Sequence, residues 1–180
     1  MMSLRKISEK MSESDVKVML REYDFFDSRK NKKGKGMLHR YLKIDSESSE
    51  SIILDLSTGL MWQQGGSDYT MNYEGAKKWI AELNQAGYAG YKDWRLPTLE
   101  EAMSQMEPEK KHGDLYINPM FDAKQRWIWT CDLVIGESRA WIVGFDDGGC
   151  LGYAFDYDDL FNNASLHYVR AVRSGQSSKE

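Results

Sequence analysis

The sequence predicts an α+β domain, and three observations carry that prediction. Its 180 residues are 41% hydrophobic and 12% aromatic, enough apolar mass for one compact core. Two central segments repeat apolar or capping signals at helical spacing. Short runs before and after them, "SIILDL", "RWIWT", "RAWIVGF" and "YVRAVR", are rich in the β-branched and aromatic residues that favour strands.

Residues 1–13 are polar and Met-rich and are expected to fray as a disordered N-terminus. Val16, Met19, Leu20 and Tyr23 then recur at helical spacing behind Ser14 or Asp15 as a cap. In "DFFDSRKNKKGKG", Asp24, Asp27 and Asn31 lie three and four apart, so they do not supply the alternate-residue ligands of a calcium-binding EF-hand. That tract reads as a glycine-containing hairpin turn, with Lys30, Lys32, Lys33 and Lys35 solvated, and residues 14–40 become a helix and hairpin appendage. "MLHRYLKI" and "SIILDL" follow as strands across the polar loop "DSESSE". Asp55, Ser57, Thr58 and Gly59 predict a tight turn with Gly59 at positive φ. Tyr73, Ala76, Lys77, Ile80, Leu83 and Asn84 predict a helix capped by Asn72 and stopped by Gly87, with Ala76, Ile80 and Leu83 buried. Pro97 keeps Leu96 out of a helix, and Thr98 with Glu101 makes a capping box for the next one.

Charge and composition exclude several functions. The net charge of −4 offers no overall attraction to nucleic acid or to an anionic membrane. No apolar stretch approaches the roughly twenty residues that span a bilayer. The N-terminal residues lack an apolar signal-peptide region, so the chain reads as cytoplasmic. Cys131 and Cys150 match neither a disulfide framework nor a zinc pattern. His39, His112 and His167 have no clustered acid or thiol in sequence, which leaves no metal, cofactor or acid–base triad indicated. Trp62, Trp127, Trp129 and Trp141 sit inside apolar strand patterns and read as core. Trp94, Arg95 and Pro97 read as a buried turn, with Asp93 the nearest candidate partner for Arg95. Arg170 and Arg173 align with neither strand face alone, so their orientation stays open.

The blocks "DLSTGLMWQQ", "AELNQAGYAGYKDWRLPTLEEA", "WIWT", "AWIVGF" and "YVRAVR", in that order between Tyr41 and Arg173, carry a resemblance. They are similar to the signature blocks of the domain of unknown function 1566 family, also called the Legionella collagen-like protein C-terminal domain family. The resemblance implies a C-type-lectin-like fold over 41–173. That fold would set two helices beside a small twisted antiparallel sheet, bring its first and last strands together, and place long loops on one side as a ligand surface. Residues 174–180 would be a flexible tail. Related formylglycine-generating enzymes and the hypervariable receptors of diversity-generating retroelements share the fold, so it fixes neither catalysis nor ligand. The enzymes imply a cysteine pair a few residues apart, for copper-dependent oxidation. Cys131 ends a strand and Cys150 follows a Gly-Gly turn, which departs from that pattern.

Leu151–Tyr168 holds three Tyr, two Phe, three Asp, two Asn and a His. Lys, Glu, Gln, Met and Trp make up 50 of the 180 residues, yet Ile142–Gly175 contains none. A window of that length would hold about nine at the chain's own frequency. Those five are amino acids that no codon of the form NNC encodes, and adenine-directed mutagenesis of AAC codons yields NNC mixtures. The mixture of aromatic rings with small polar groups also resembles a paratope. The expected ligand-binding residues are Tyr153, Phe155, Tyr157, Asp158, Phe161, Asn162, Asn163 and His167, all presented at the surface. The leading expectation is a non-enzymatic, receptor-like protein with a hypervariable face for a protein or carbohydrate ligand, without nucleic-acid or membrane-inserted partners. An intracellular sensor or interaction module attached to signalling proteins, and an oxidoreductase of the formylglycine-generating type, are the alternatives. Asp146, Asp147, Asp156, Asp158 and Asp159 could supply calcium oxygens, but the lectin-type Glu-Pro-Asn and Gln-Pro-Asp tripeptides are absent.

Overall fold

The chain is described by a computed structural model over residues 2–45, 50–155 and 165–175. Its elements, in order, are β1 (Lys10–Met11), α1 (Glu13–Glu22), β2 (Tyr41–Asp45), β3 (Ser51–Asp55), β4 (Leu60–Gln63) and α2 (Tyr73–Ala86). They continue with α3 (Leu99–Ser104), β5 (Trp127–Val134), β6 (Arg139–Gly144), β7 (Gly149–Ala154) and β8 (Val172–Ser174). The architecture is α+β, as predicted, but the strands form two four-stranded sheets, β1-β5-β6-β7 and β2-β3-β4-β8, where one small sheet was expected.

Local chemistry sets the ends of these elements. In the turn after β3, Thr58 Oγ1 donates to Asp55 Oδ2 at 2.5 Å, Ser57 N donates to Oδ1 at 3.0 Å, and Gly59 takes φ 73°. Asn72 Oδ1 accepts from Gly75 N at 2.8 Å to start α2, and Gly87 in the left-handed region stops it. Ala76 is buried, whereas Ile80 and Leu83 are half-buried at the margin of the core. Thr98 Oγ1 accepts from Glu101 N at 3.2 Å while Glu101 Oε2 accepts from Thr98 N at 2.9 Å, completing the capping box of α3.

That box redirects the expected ion pair. It folds the Glu101 carboxylate back over the helix start, where Arg95 donates to both oxygens at 2.7 and 2.6 Å. Asp93 instead accepts from Arg173 at 2.6 and 3.1 Å. The Arg173 guanidinium lies 3.8 Å from the centre of the Tyr91 ring.

The N-terminal residues are built into the fold rather than frayed. Arg5 donates to Asp132 at 2.8 and 2.6 Å and to Glu100 at 3.2 Å. The Asp132 side chain is fully buried and also accepts from Glu9 N and Leu99 N, each at 2.7 Å. Leu4 is buried, and Lys10–Met11 adds a parallel strand to β5. Helix α1 accordingly begins earlier than expected, with Ser12 as its cap and Asp15 as the capping-box partner. The hairpin region differs in one residue. Asp27 is buried and accepts from Arg29 N, Lys30 N and Cys150 N, so Lys30 is drawn in to donate to the Cys150 carbonyl at 2.5 Å. Lys32, Lys33 and Lys35 are exposed.

The two faces of the β5–β6–β7 sheet serve different cores. Ile128, Trp141, Val143 and Cys150 pack with Val16 and Leu20 of α1 and with Leu99 and Met103 of α3. Trp129, Ala140 and Ile142 point the other way, toward Tyr73 and Ala76 of α2. Trp62, Trp94, Trp129 and Trp141 are buried as expected, and Trp127 is only half-buried. The end of the chain joins the sheets. Tyr168 N donates to the Trp127 carbonyl at 2.9 Å and Trp129 N to the Tyr168 carbonyl at 3.1 Å. Four residues on, Val172 exchanges two backbone bonds with Arg95 and pairs with Trp62. The last strand therefore meets β4, at the opposite edge from β2.

Candidate ligand-binding face

The register of the β5–β6–β7 sheet explains how an aromatic patch forms at its edge. Trp129 pairs with Ile142 and Ile142 with Leu151, and Ala140 pairs with Tyr153, so these side chains share the face that α2 covers. Cover ends before Tyr153, which is 40% exposed. Its ring stands edge-on to His167, with centroids 4.8 Å apart. His167 in turn meets Trp129 at 4.8 Å and Trp127 at 6.3 Å. Phe155 stacks on Tyr73 at 4.9 Å, and Tyr73 meets Trp129 edge-on at 5.4 Å. Such ring pairs contribute beyond their buried area and hold one another in place.

Hydrogen bonds fix the support. Met71 and His167 exchange backbone bonds of 2.9 and 3.0 Å, and the Met71 carbonyl also accepts from Trp129 Nε1 at 2.8 Å. Burial pushes the His167 imidazole down to about 4, so the ring is neutral at neutral pH. Its Nε2 is buried and has no hydrogen-bond partner among the described residues. Beneath the patch, Ser67 Oγ accepts from Val169 N at 3.0 Å. Arg170 is fully buried, donates to the Gly65 and Asp122 carbonyls at 2.8 and 3.0 Å, and lies over Phe121 at 5.1 Å. Burial holds its guanidinium down at about 10. Both arginines of "YVRAVR" are thus anchors of the scaffold.

Of the expected site residues, Tyr153 is exposed, while Phe155 and His167 are half-buried. Each of the last two rings is drawn in by an aromatic neighbour from elsewhere in the chain, Tyr73 or Trp129. Tyr157, Asp158, Phe161, Asn162 and Asn163 lie outside the described residues. Tyr73, Trp127 and Trp129 belong to the patch although their sequence signals read as helix periodicity and strand core. Nothing local distinguishes a ring that forms the floor of a face from one inside the core.

The same geometry bears on metal and thiol chemistry. Asp146 accepts from Arg126 Nε at 3.1 Å and Asp147 pairs with Arg29. Asp156, Asp158 and Asp159 lie outside the described residues, and no cluster of metal-ligating side chains occurs among the described ones. Cys131 packs on the α2 side of the sheet and Cys150 on the opposite side. Burial raises both thiols, Cys131 to about 12. No helix of the described residues is long and apolar enough to cross a membrane.

Fold and patch together define an α+β domain whose aromatic edge sits on a scaffold closed by its own C-terminal strand. The chain belongs to the Lcl C-terminal domain family, whose model matches residues 51–173. The match begins at β3 and ends inside β8, so β1, α1 and β2 lie outside the matched residues. No curated protein shows significant sequence similarity to the chain.

Proposed function

We propose that the chain is a non-enzymatic, receptor-like protein of C-type-lectin-like fold that binds a protein or carbohydrate ligand through the edge carrying Tyr153, and that a diversity-generating retroelement diversifies this surface. The observation that carries the binding reading is the layered set of rings, Tyr153 on His167 on Trp129, with the outermost exposed. A ring held rigidly from below loses little entropy when a partner covers it. Diversification draws its support from the absence of Lys, Glu, Gln, Met and Trp between Ile142 and Gly175. The separation of Cys131 and Cys150 on opposite sheet faces, both as raised-pKa thiols, counts against a paired-cysteine oxidase.

Two measurements test the reading. The gene should show codons ending mostly in C across Gly152–His167, beside a reverse-transcriptase gene and an imperfect repeat. Third bases scattered over all four nucleotides would remove the diversification claim. Screening the chain against glycan and protein arrays should give ligands whose binding weakens by about 2 kcal/mol in Tyr153→Ala, the size of a central aromatic anchor. Ligands indifferent to Tyr153 would place the binding surface elsewhere.

A further inference from the structure

We propose that a second site, the cleft between the N-terminal arm and α2, binds a small amphipathic carboxylate: a hydrocarbon body with one anionic end. The cleft is an open one with a volume of about 400 Å³, within the range of small-molecule sites. Its walls are Tyr73, Ile80 and Leu96, and its mouth carries Lys6 and Lys77. Polar groups at its base are already engaged. The Cys131 carbonyl accepts from Ser8 Oγ at 2.5 Å and from the Tyr73 hydroxyl at 3.4 Å, and Arg95 is held by Glu101. A hydrocarbon body entering the cleft therefore meets apolar surface without stranding a buried donor or acceptor.

Charge at the mouth selects the other end of the ligand. Lys77 lies 2.5 Å from Glu74 and 5.4 Å from the Tyr73 ring centre, with half of its side chain exposed. Lys6 is exposed and makes no hydrogen bond or ion pair among the described residues. Asp132 and Glu101, the acids acting on Cys131 at the floor, are fully buried and committed to Arg5 and Arg95. Cys131 stays a neutral thiol, since burial raises it to about 12. Two ammonium groups against one exposed carboxylate leave the rim positive above an apolar interior, a polarity that favours an anion over a neutral or cationic analogue of the same length. The arm that carries Lys6 is held next door by Arg5 on Asp132, so the rim is positioned before a ligand arrives.

Calorimetric titration of the full chain with octanoate, octanol and octylammonium tests this site. Octanoate should bind saturably at one site, and the other two should bind about tenfold or more weakly. The double variant K6E/K77E should weaken octanoate by about tenfold or more with an unchanged melting temperature, K6R/K77R should retain it, and Y153A should leave it unaffected. The milder K6Q/K77Q reports the same loss should the reversed pair disturb folding. Equal binding of octylammonium or octanol, unchanged octanoate affinity in both the reversed and the neutralised variants, or no saturable heat in the millimolar range would each overturn the proposal. Loss of octanoate binding in Y153A would place the carboxylate on the aromatic face instead.

Discussion

His167 is the residue at which scaffold and display meet. Its backbone is laddered to Met71, its ring rests on Trp129, and Tyr153 leans on it from outside. Among the described residues the rings that meet it are Trp127, Trp129 and Tyr153, all uncharged, and burial depresses its protonation from 6.5 to about 4. Linkage then sets a sign. Between pH 6.5 and about 4 the unfolded chain binds a proton there that the native ring refuses, so native stability falls as pH drops through that window and levels off below it. Full stability from this group is present above the unfolded value. His167→Phe removes the effect: urea unfolding at about pH 7 and about pH 5 should show the wild-type chain losing more stability than the variant. A parallel loss in both would mean that the ring is solvated.

At the scale of elements, the N-terminal arm is held by one buried pair more than by strand pairing. Lys10–Met11 is only two residues long, whereas Arg5 meets a carboxylate that is fully buried and already accepts two backbone amides. Removing one partner leaves the other charge buried and uncompensated. Arg5→Ala should cost about 3 to 5 kcal/mol in chemical denaturation, against less than about 1 kcal/mol for Lys77→Ala in the exposed pair with Glu74. A similar small effect in both would show that the arm contributes little to the fold. The cap of α3 is a separate contribution: Thr98→Ala should cost about 1 kcal/mol, within the range for lost N-caps. That substitution also frees Glu101 from the Thr98 hydroxyl while leaving its bonds to Arg95.

For the whole molecule, the C-terminal segment decides cooperativity. Tyr168 pairs with β5 and Val172 with both Arg95 and β4, so the five residues 168–172 link the two sheets. Deleting residues 166–180 should abolish the cooperative unfolding transition, because both sheets lose an edge and Arg170 and Arg173 leave the core together. Replacing 157–164 by a Gly-Ser linker of equal length should preserve a cooperative transition. Loss of cooperativity in the linker variant would make that segment part of the scaffold. Chelation of divalent ions should leave the thermal midpoint unchanged, since Asp146 and Asp147 are each paired with an arginine, Arg126 and Arg29. A fall of about ten degrees would establish a stabilising ion, because a ligand of the native state alone must raise its stability.

Much of the secondary structure was legible in the sequence because its causes are local. Asp55 and Thr58 build a turn within four residues, Asn72 and Gly87 bracket α2, and Thr98 reads Glu101 three positions on. Side-chain to backbone bonds of this range are written in the spacing of residues, as are the strand runs around Trp129 and Trp141. Other features depend on partners that spacing does not reveal. Arg5 finds Asp132 across 127 positions, Arg173 takes the Asp93 that Arg95 was expected to take, and one terminal segment joins two sheets in place of one. The candidate face divides the same way. Its aromatic composition and its end at His167 were visible, but the support of His167 by Trp129 and of Phe155 by Tyr73 needed the sheet and α2 in place. Sequence alone determined which residues could cap, turn and pair. Tertiary structure decided which long-range charges and rings met, because burial makes those choices by leaving each buried group few partners within reach.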